Sequence, residues 1–214
     1  CMSLNKDFNI HRLERYLSLT WESGAIPVVV LTKSDLCDNV HRKLQVVNSI
    51  ALGVDVVVTS FIEPDGYKQI SKYIKPGCTV ALLGSSGVGK SSLINCLMGG
   101  EFLNTKEIRI DDDKGRHATT RRELFLISGG GIVIDTPGMR ELGMWDVSEG
   151  LDKSFADIEA YFGKCHFRNC THTSEPGCAI WEAIAHQELS PKRWESYRRL
   201  KTEAVFADNK SEYL

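Results

Sequence analysis

No apolar run in this chain approaches the length of a membrane span, and no secretory leader pattern opens it. Charge of one sign is also missing: 26 Lys and Arg face 28 Asp and Glu, a formal net charge of −2. A balance so near neutral does not advertise nucleic-acid binding, so any such role has to rest on a local patch. The cysteines lack the spacing of a disulfide framework. Cys37, Cys78 and Cys96 stand far apart, while Cys165, Cys170 and Cys178 crowd around His172. Scattered thiols plus one cluster point to a reducing, cytoplasmic setting. Repeats and low-complexity segments are absent as well. What remains is a globular composition, 42% hydrophobic and 25% charged, over 214 residues. That length supports one domain, or one large and one small. The opening Cys1-Met2-Ser3-Leu4 reads as the start of a fragment.

Ile10, Leu13, Leu17 and Trp21 recur at helical spacing, with Gly24 as a stop. The apolar run 26–31 fits a buried parallel strand. Val40, Leu44, Val47 and Ala51 mark a second helix, and 54–58 a second strand. Tyr67, Ile70 and Ile74 mark a third helix, stopped by Pro76-Gly77. A third strand, 78–83, runs into a glycine-rich loop, and a helix from Ser91 to Met98 follows. Residues 101–122 are polar and weakly periodic, the pattern of a long functional loop. Residues 124–127 and 132–134 flank three glycines and read as a hairpin. Strand–helix alternation to about Asp146 predicts a three-layer α/β domain. From Leu151 the pattern turns helical, so a boundary falls near Gly150, giving domains 1–150 and 151–214.

The loop Gly84-Ser85-Ser86-Gly87-Val88-Gly89-Lys90-Ser91 has the spacing of a P-loop, between strand and helix. Its glycines let backbone N–H groups turn inward around phosphates. Lys90 would reach the β- and γ-phosphates, and Ser91, with Ser92 beside it, would sit at the Mg²⁺ end. Thr32-Lys33-Ser34-Asp35 follows a strand, where α/β sheets bind ligands. The Asp35 carboxylate can accept both N–H groups of the guanine edge, and adenine offers neither. Thr32 stands where Asn is usual. Alone, such a turn is as often an ordinary surface turn. Thr59-Ser60 ends the next strand and supplies further contacts to the base. Asp135-Thr136-Pro137-Gly138 ends a later strand. Asp135 would hold Mg²⁺ through water, and the Gly138 N–H would bind the γ-phosphate. Met139 follows and cannot orient water, whereas many GTPases place Gln there. In the long loop, Gly115-Arg116-His117-Ala118-Thr119-Thr120 offers Thr120, or Thr119, to Mg²⁺. His117 is a candidate for positioning water, against the equal alternative of a loop histidine in solvent. Asp111-Asp112-Asp113 reads as a solvated charge run.

Cys165-x4-Cys170-x-His172-x5-Cys178 offers three thiolates and an imidazole, a tetrahedral zinc set. Four protein ligands close the coordination, so one structural zinc per chain is expected. His166 is a rival ligand. Farther on, Lys192, Arg193, Arg198, Arg199 and Lys201 interleave with Trp194 and Tyr197. That is a candidate RNA-facing surface. Spacing alone favours an ordinary amphipathic helix.

The motifs stand in the order guanine reader, phosphate loop, switch, a cyclic reordering of the usual GTPase. That order, the Gly-x-His-x-Thr-Thr stretch, the hydrophobic residue after DxxG and the Cys-x4-Cys-x-His-x5-Cys cluster resemble one family. It is the ribosome-small-subunit-dependent GTPases, called RsgA or YjeQ. The resemblance implies a circularly permuted P-loop GTPase followed by a small, mostly helical zinc domain. It implies GTP hydrolysis to GDP and phosphate with Mg²⁺, stimulated by the small ribosomal subunit and its rRNA during late subunit maturation. It further implies a cytoplasmic monomer with no membrane role, and an N-terminal OB-fold that this chain lacks. Ala118 departs from the family's frequent threonine. Two rival readings differ in class: a P-loop ATPase or kinase, and a zinc-stapled RNA-binding module with vestigial nucleotide turnover.

Overall fold

The structure, a computed structural model, describes residues 1–63, 66–100, 103, 123–136 and 147–211, with side chains to 208. It divides into two compact units, Cys1–Ile10 with Val28–Leu142, and His11–Pro27 with Gly143–Leu214.

The first unit is built on parallel strands. β1 (Met2–Ser3), β2 (Val28–Thr32) and β3 (Asp55–Val58) form one sheet in the order β1-β2-β3. β4 (Thr79–Leu82), β5 (Glu123–Leu126) and β6 (Ile132–Asp135) form another, in the order β4-β6-β5. β5 and β6 are the antiparallel hairpin expected around the three glycines. β2 begins at Val28, not at Ile26, because Pro27 has no N–H for the ladder and Ile26 is left exposed. β1 has two residues, too few for any periodic signal. Val29 and Leu31 are as buried as Val30, so β2 is covered on both faces, as a parallel strand requires.

Helices α2 (Val40–Asn48), α3 (Lys68–Ser71) and α4 (Lys90–Met98) complete this unit. The Asn39 side chain caps α2 by accepting from the Arg42 N–H. α3 is shorter than its apolar spacing suggests. After Ile70 the chain continues in i→i+3 bonds, Tyr73 to Ile70 and Ile74 to Ser71, which tighten the turn before Pro76. Val30, Val57, Leu82, Leu93, Ile94 and Val133 share one core, so strands of both sheets and α4 are locked together.

The second unit is helical: α1 (Ile10–Glu22, of which His11 onward belongs here), α5 (Ser148–Ser154), α6 (Ala156–Glu159), α7 (Ala179–Ala185) and α8 (Pro191–Ser211). Phe155, Ile158, Ile180, Tyr197 and Leu200 form its core. α1 is joined to it by charge as well as packing. Arg193 Nη1 donates to Glu14 at 2.7 Å, its other nitrogens bind Asp157, and its plane stacks on Phe155. Arg15 and Glu203 make a bidentate pair. The Gly150 N–H donates to Glu22 at 2.7 Å. A Cβ on Gly150 would lie 2.0 Å from the Ser18 carbonyl oxygen, so only glycine lets α5 start this close to α1.

This packing corrects one expectation. Arg193, Trp194 and Tyr197 are 7%, 6% and 2% exposed. They are core residues and are withdrawn from the candidate RNA-facing surface. α8 buries one stripe, as an amphipathic helix does, and leaves Lys192, Arg198 and Arg199 in solvent.

Candidate functional site

The carboxyl ends of β2, β3, β4 and β6 carry the nucleotide motifs. Between β4 and α4 runs the loop Gly84 to Gly89. Gly89 caps α4 with φ 106°, and a Cβ there would meet Phe61 at 3.0 Å. The Lys90 ammonium donates back to the carbonyl oxygens of Gly84 and Ser85, at 2.9 and 3.1 Å. It therefore sits inside the curl of the loop, 7% exposed. Burial pushes its pKa below the usual lysine value, and Asp135 opposes that shift. Asp135 lies opposite Leu82 in the β4–β6 ladder, which places its carboxylate beside the loop. The Thr136 hydroxyl ties the two strand ends by donating to the Leu82 carbonyl at 2.6 Å. Ser91 and Ser92 occupy the first turn of α4, half-buried.

The turn Thr32 to Asp35, the candidate base reader, is anchored to this loop. Thr32 is fully buried, and its hydroxyl donates to the Val88 carbonyl at 2.6 Å. Its side chain thus holds the phosphate loop against β2, a role that spacing alone did not reveal. Lys33 adopts φ 57°, the left-handed conformation that turns the chain sharply out of the strand. Burial lowers its pKa, while Asp35 first and Asp7 second favour its charged form. Asp35 is exposed on a short 3-10 turn, and the Ser60 hydroxyl donates to its carboxylate at 2.5 Å. Thr59 and Ser60 are both buried, and the Thr59 hydroxyl donates to the Gly66 carbonyl. Gly138, Met139, Asp111–Asp113, His117, Ala118, Thr119 and Thr120 lie outside the described residues.

The second unit carries the metal cluster. The Nδ1 of His172 lies 3.4, 3.5 and 3.4 Å from the sulfurs of Cys165, Cys170 and Cys178. All four ligand atoms fall within 4.8 Å of one another. Such spacing surrounds a single ion, and the set could hold a metal. Its frame is built locally. Phe162 stacks on the His172 ring at 4.9 Å, and the Trp181 indole donates to the His172 carbonyl. The Ala179 N–H donates to the Cys165 sulfur, which suits a thiolate. The Thr171 hydroxyl donates to Glu175, which also gathers the N–H groups of Thr171, Thr173 and Ser174; the hydroxyl first and the Thr171 N–H next hold its carboxyl well below the usual range. His166 is not part of the cluster: its ring packs edge-on against Phe167.

A lysine inside a glycine loop, a carboxylate at the end of the neighbouring strand and an acidic turn joined to that loop define a P-loop nucleotide-binding protein. The strand that carries the candidate base reader, β2, precedes the strand that leads into the phosphate loop, β4. The chain belongs to the RsgA GTPase family, whose model matches residues 1–145. It is 48% identical over its whole length to the small ribosomal subunit biogenesis GTPase RsgA 2 of Lactiplantibacillus plantarum, covering 60% of that protein. It is 44% identical over 210 residues to the small ribosomal subunit biogenesis GTPase RsgA of Methanosarcina acetivorans, covering 98% of this chain and 57% of that protein. Among solved structures it resembles YjeQ from Thermotoga maritima, with TM-score 0.68 and 27% identity over 95% of this chain and 69% of that one. It also resembles YloQ, a circularly permuted GTPase, with TM-score 0.64 and 26% identity over 94% of this chain and 66% of that one. The chain spans about 60% of the length of the first of these relatives.

Proposed function

We propose that this chain is the catalytic and metal-stapled part of a GTPase that hydrolyses GTP to GDP and phosphate in small-subunit maturation. The observation that carries this reading is the Thr32–Val88 hydrogen bond, which brings the guanine-reading turn against the phosphate loop. Asp35 then selects guanine while Lys90 and the loop amides bind phosphates. Ser91 and Thr120 would hold Mg²⁺, with Asp135 as its further carboxylate partner and the Gly138 N–H as a donor to the γ-phosphate. His117 positions the attacking water, since Met139 has no polar group to do so. Residues 1–150 carry the nucleotide chemistry and 151–214 the zinc-stapled part, with α1 packed into the second unit.

Zinc is the metal proposed for Cys165, Cys170, His172 and Cys178, because three thiolates and one imidazole form a soft, closed set that structural zinc prefers. The proposed partners are GTP, GDP and the small ribosomal subunit with its rRNA, in the cytoplasm, with the protein acting as a monomer. Among the described residues no helix is long and apolar enough to cross a membrane.

The deciding measurement is nucleotide turnover with and without purified small subunits. GTP but not ATP should bind, and Asp35→Asn should weaken GTP binding and relax the choice of base. Equal affinity of the unmutated protein for ATP and GTP would overturn the reading in favour of an ATPase or kinase. His117→Ala should bind GTP normally and lose most of the stimulated rate. A variant stimulated as well as its parent would remove His117 from the mechanism.

A further inference from the structure

We infer that Asp7, which lies outside every nucleotide motif, is a positioning residue that fixes the phosphate loop to the base-reading turn. The inference rests on the nucleotide site proposed above and adds a residue to it. Asp7 belongs to a short strap that leaves β1 and passes beside the loop. The strap is held on several sides. The Leu4 N–H donates to the Thr32 carbonyl at 2.8 Å, and the Lys43 ammonium donates to the Leu4 carbonyl at 2.6 Å. That ammonium also lies 5.1 Å from the Phe8 ring centroid. Within the strap the Asn5 side-chain oxygen, Oδ1, accepts from the Ser3 hydroxyl and from the Asp7 N–H, at 2.8 and 3.0 Å.

This frame aims the Asp7 carboxylate at the phosphate loop, where it accepts from the Ser85 hydroxyl at 2.5 Å. Ser85 is 4% exposed, so water competes little for that bond. A charged acceptor makes the bond stronger than a neutral one. The same carboxylate acts on the other side of the site, where it helps Lys33 stay charged against its burial. The strap of Asp7 thus joins two motifs that the nucleotide must engage together, the turn that begins at Thr32 and the second residue of the loop. A negative charge so near an anion site would oppose binding by simple Coulomb repulsion. Its engagement by the Ser85 hydroxyl, within a strap whose Leu4 N–H is bonded to the Thr32 carbonyl, converts it into a fixed brace. The direction of the loop amides depends on that brace, so its loss falls on phosphate binding rather than on base binding.

The test compares GMP with GDP, as competitors of a fluorescent GDP, on the whole chain with Mg²⁺. Asp7→Ala should weaken GDP about tenfold, the worth of one charge-assisted hydrogen bond, and change GMP much less. Asp7→Asn should recover part of the loss, because its amide oxygen still accepts from Ser85. Ser85→Ala should weaken GDP as well, and the double variant should be no weaker than Asp7→Ala alone. The inference is overturned if Asp7→Ala binds GDP like its parent, or if GMP and GDP fall by the same factor. It is equally overturned if the two single losses multiply in the double variant, or if Asp7→Asn recovers nothing. Failure of the underlying site reading is seen separately, in the unmutated chain, as no preference for GDP over ADP.

Discussion

In the nucleotide unit the side chains that meet come from five separate stretches: Asp7, Thr32 to Asp35, Thr59-Ser60, the loop Gly84 to Ser91, and Asp135. In the second unit the four residues that could hold a metal lie between Cys165 and Cys178, close together in the chain. The two sites are therefore assembled by different forces. The first is placed by parallel strands whose ends coincide, so its geometry is fixed by the sheet and its core before any ligand arrives. Among the described residues the second has no strand beneath it, and its loop is held by the Glu175 bonds, the Phe162–His172 stack and any metal its four side chains would bind. The metal unit also buries a charged network, Glu14–Arg193–Asp157, which the nucleotide unit does not match among its described ion pairs.

The largest test of this contrast is metal removal. Structural zinc contributes roughly 10–16 kcal/mol of apparent binding free energy to small metal modules. Chelation, or Cys170→Ser, should therefore unfold the metal unit, read as lost hydrogen-exchange protection around α7. Guanine nucleotide binding should survive. Loss of both together would show that the units do not stand independently.

The next effect is Arg193→Ala, which takes the guanidinium from the buried Glu14 and leaves it the Ser196 hydroxyl and His11. Breaking such a pair costs about 3–5 kcal/mol. Urea denaturation should show that loss in the metal unit, with GDP affinity unchanged. A cost below about 1 kcal/mol, the surface-pair range, would mean that Glu14 is relieved by other groups.

A smaller effect is expected in the other unit. Thr32→Val keeps the shape of the side chain and leaves the Val88 carbonyl without this donor, at a cost of about 1–3 kcal/mol. It should appear as weaker GDP binding. An unchanged affinity would detach Thr32 from the loop's geometry.

The smallest effect is a pH slope. Lys90 has its folded pKa below the ordinary 10.5. Between the lowered value and 10.5 the unfolded chain holds more protons than the folded one, so this group makes the nucleotide-free protein more stable as pH rises through that window. Lys90→Met should flatten that part of the stability profile. An identical slope in both proteins would mean that the lysine is hydrated.

The metal set was legible because its four residues are close in sequence and of one chemical kind, and the phosphate loop because glycine spacing and lysine encode a backbone shape directly. The order of the Thr32–Asp35 motif against the phosphate loop pointed to a permuted fold, which the likeness to a circularly permuted GTPase matches. Strand and helix positions followed from local apolar patterns, apart from β1, which is too short to carry one, the start of β2, which Pro27 delays, and α3, which a following proline tightens. What the sequence could not disclose depended on which distant faces meet. The basic and aromatic residues of α8 have one composition whether they face solvent or core. Only packing against α1, α5 and α6 put Arg193, Trp194 and Tyr197 inside and left Arg198 and Arg199 outside. Likewise Thr32 reads as a weak substitute for asparagine until the fold brings the Val88 carbonyl 2.6 Å from its hydroxyl. Asp7 reads as nothing until Ser85 is beside it. Local patterns specify local geometry through steric and hydrogen-bonding preferences of near neighbours, whereas partners far apart along the chain are chosen by burial, which belongs to the whole unit.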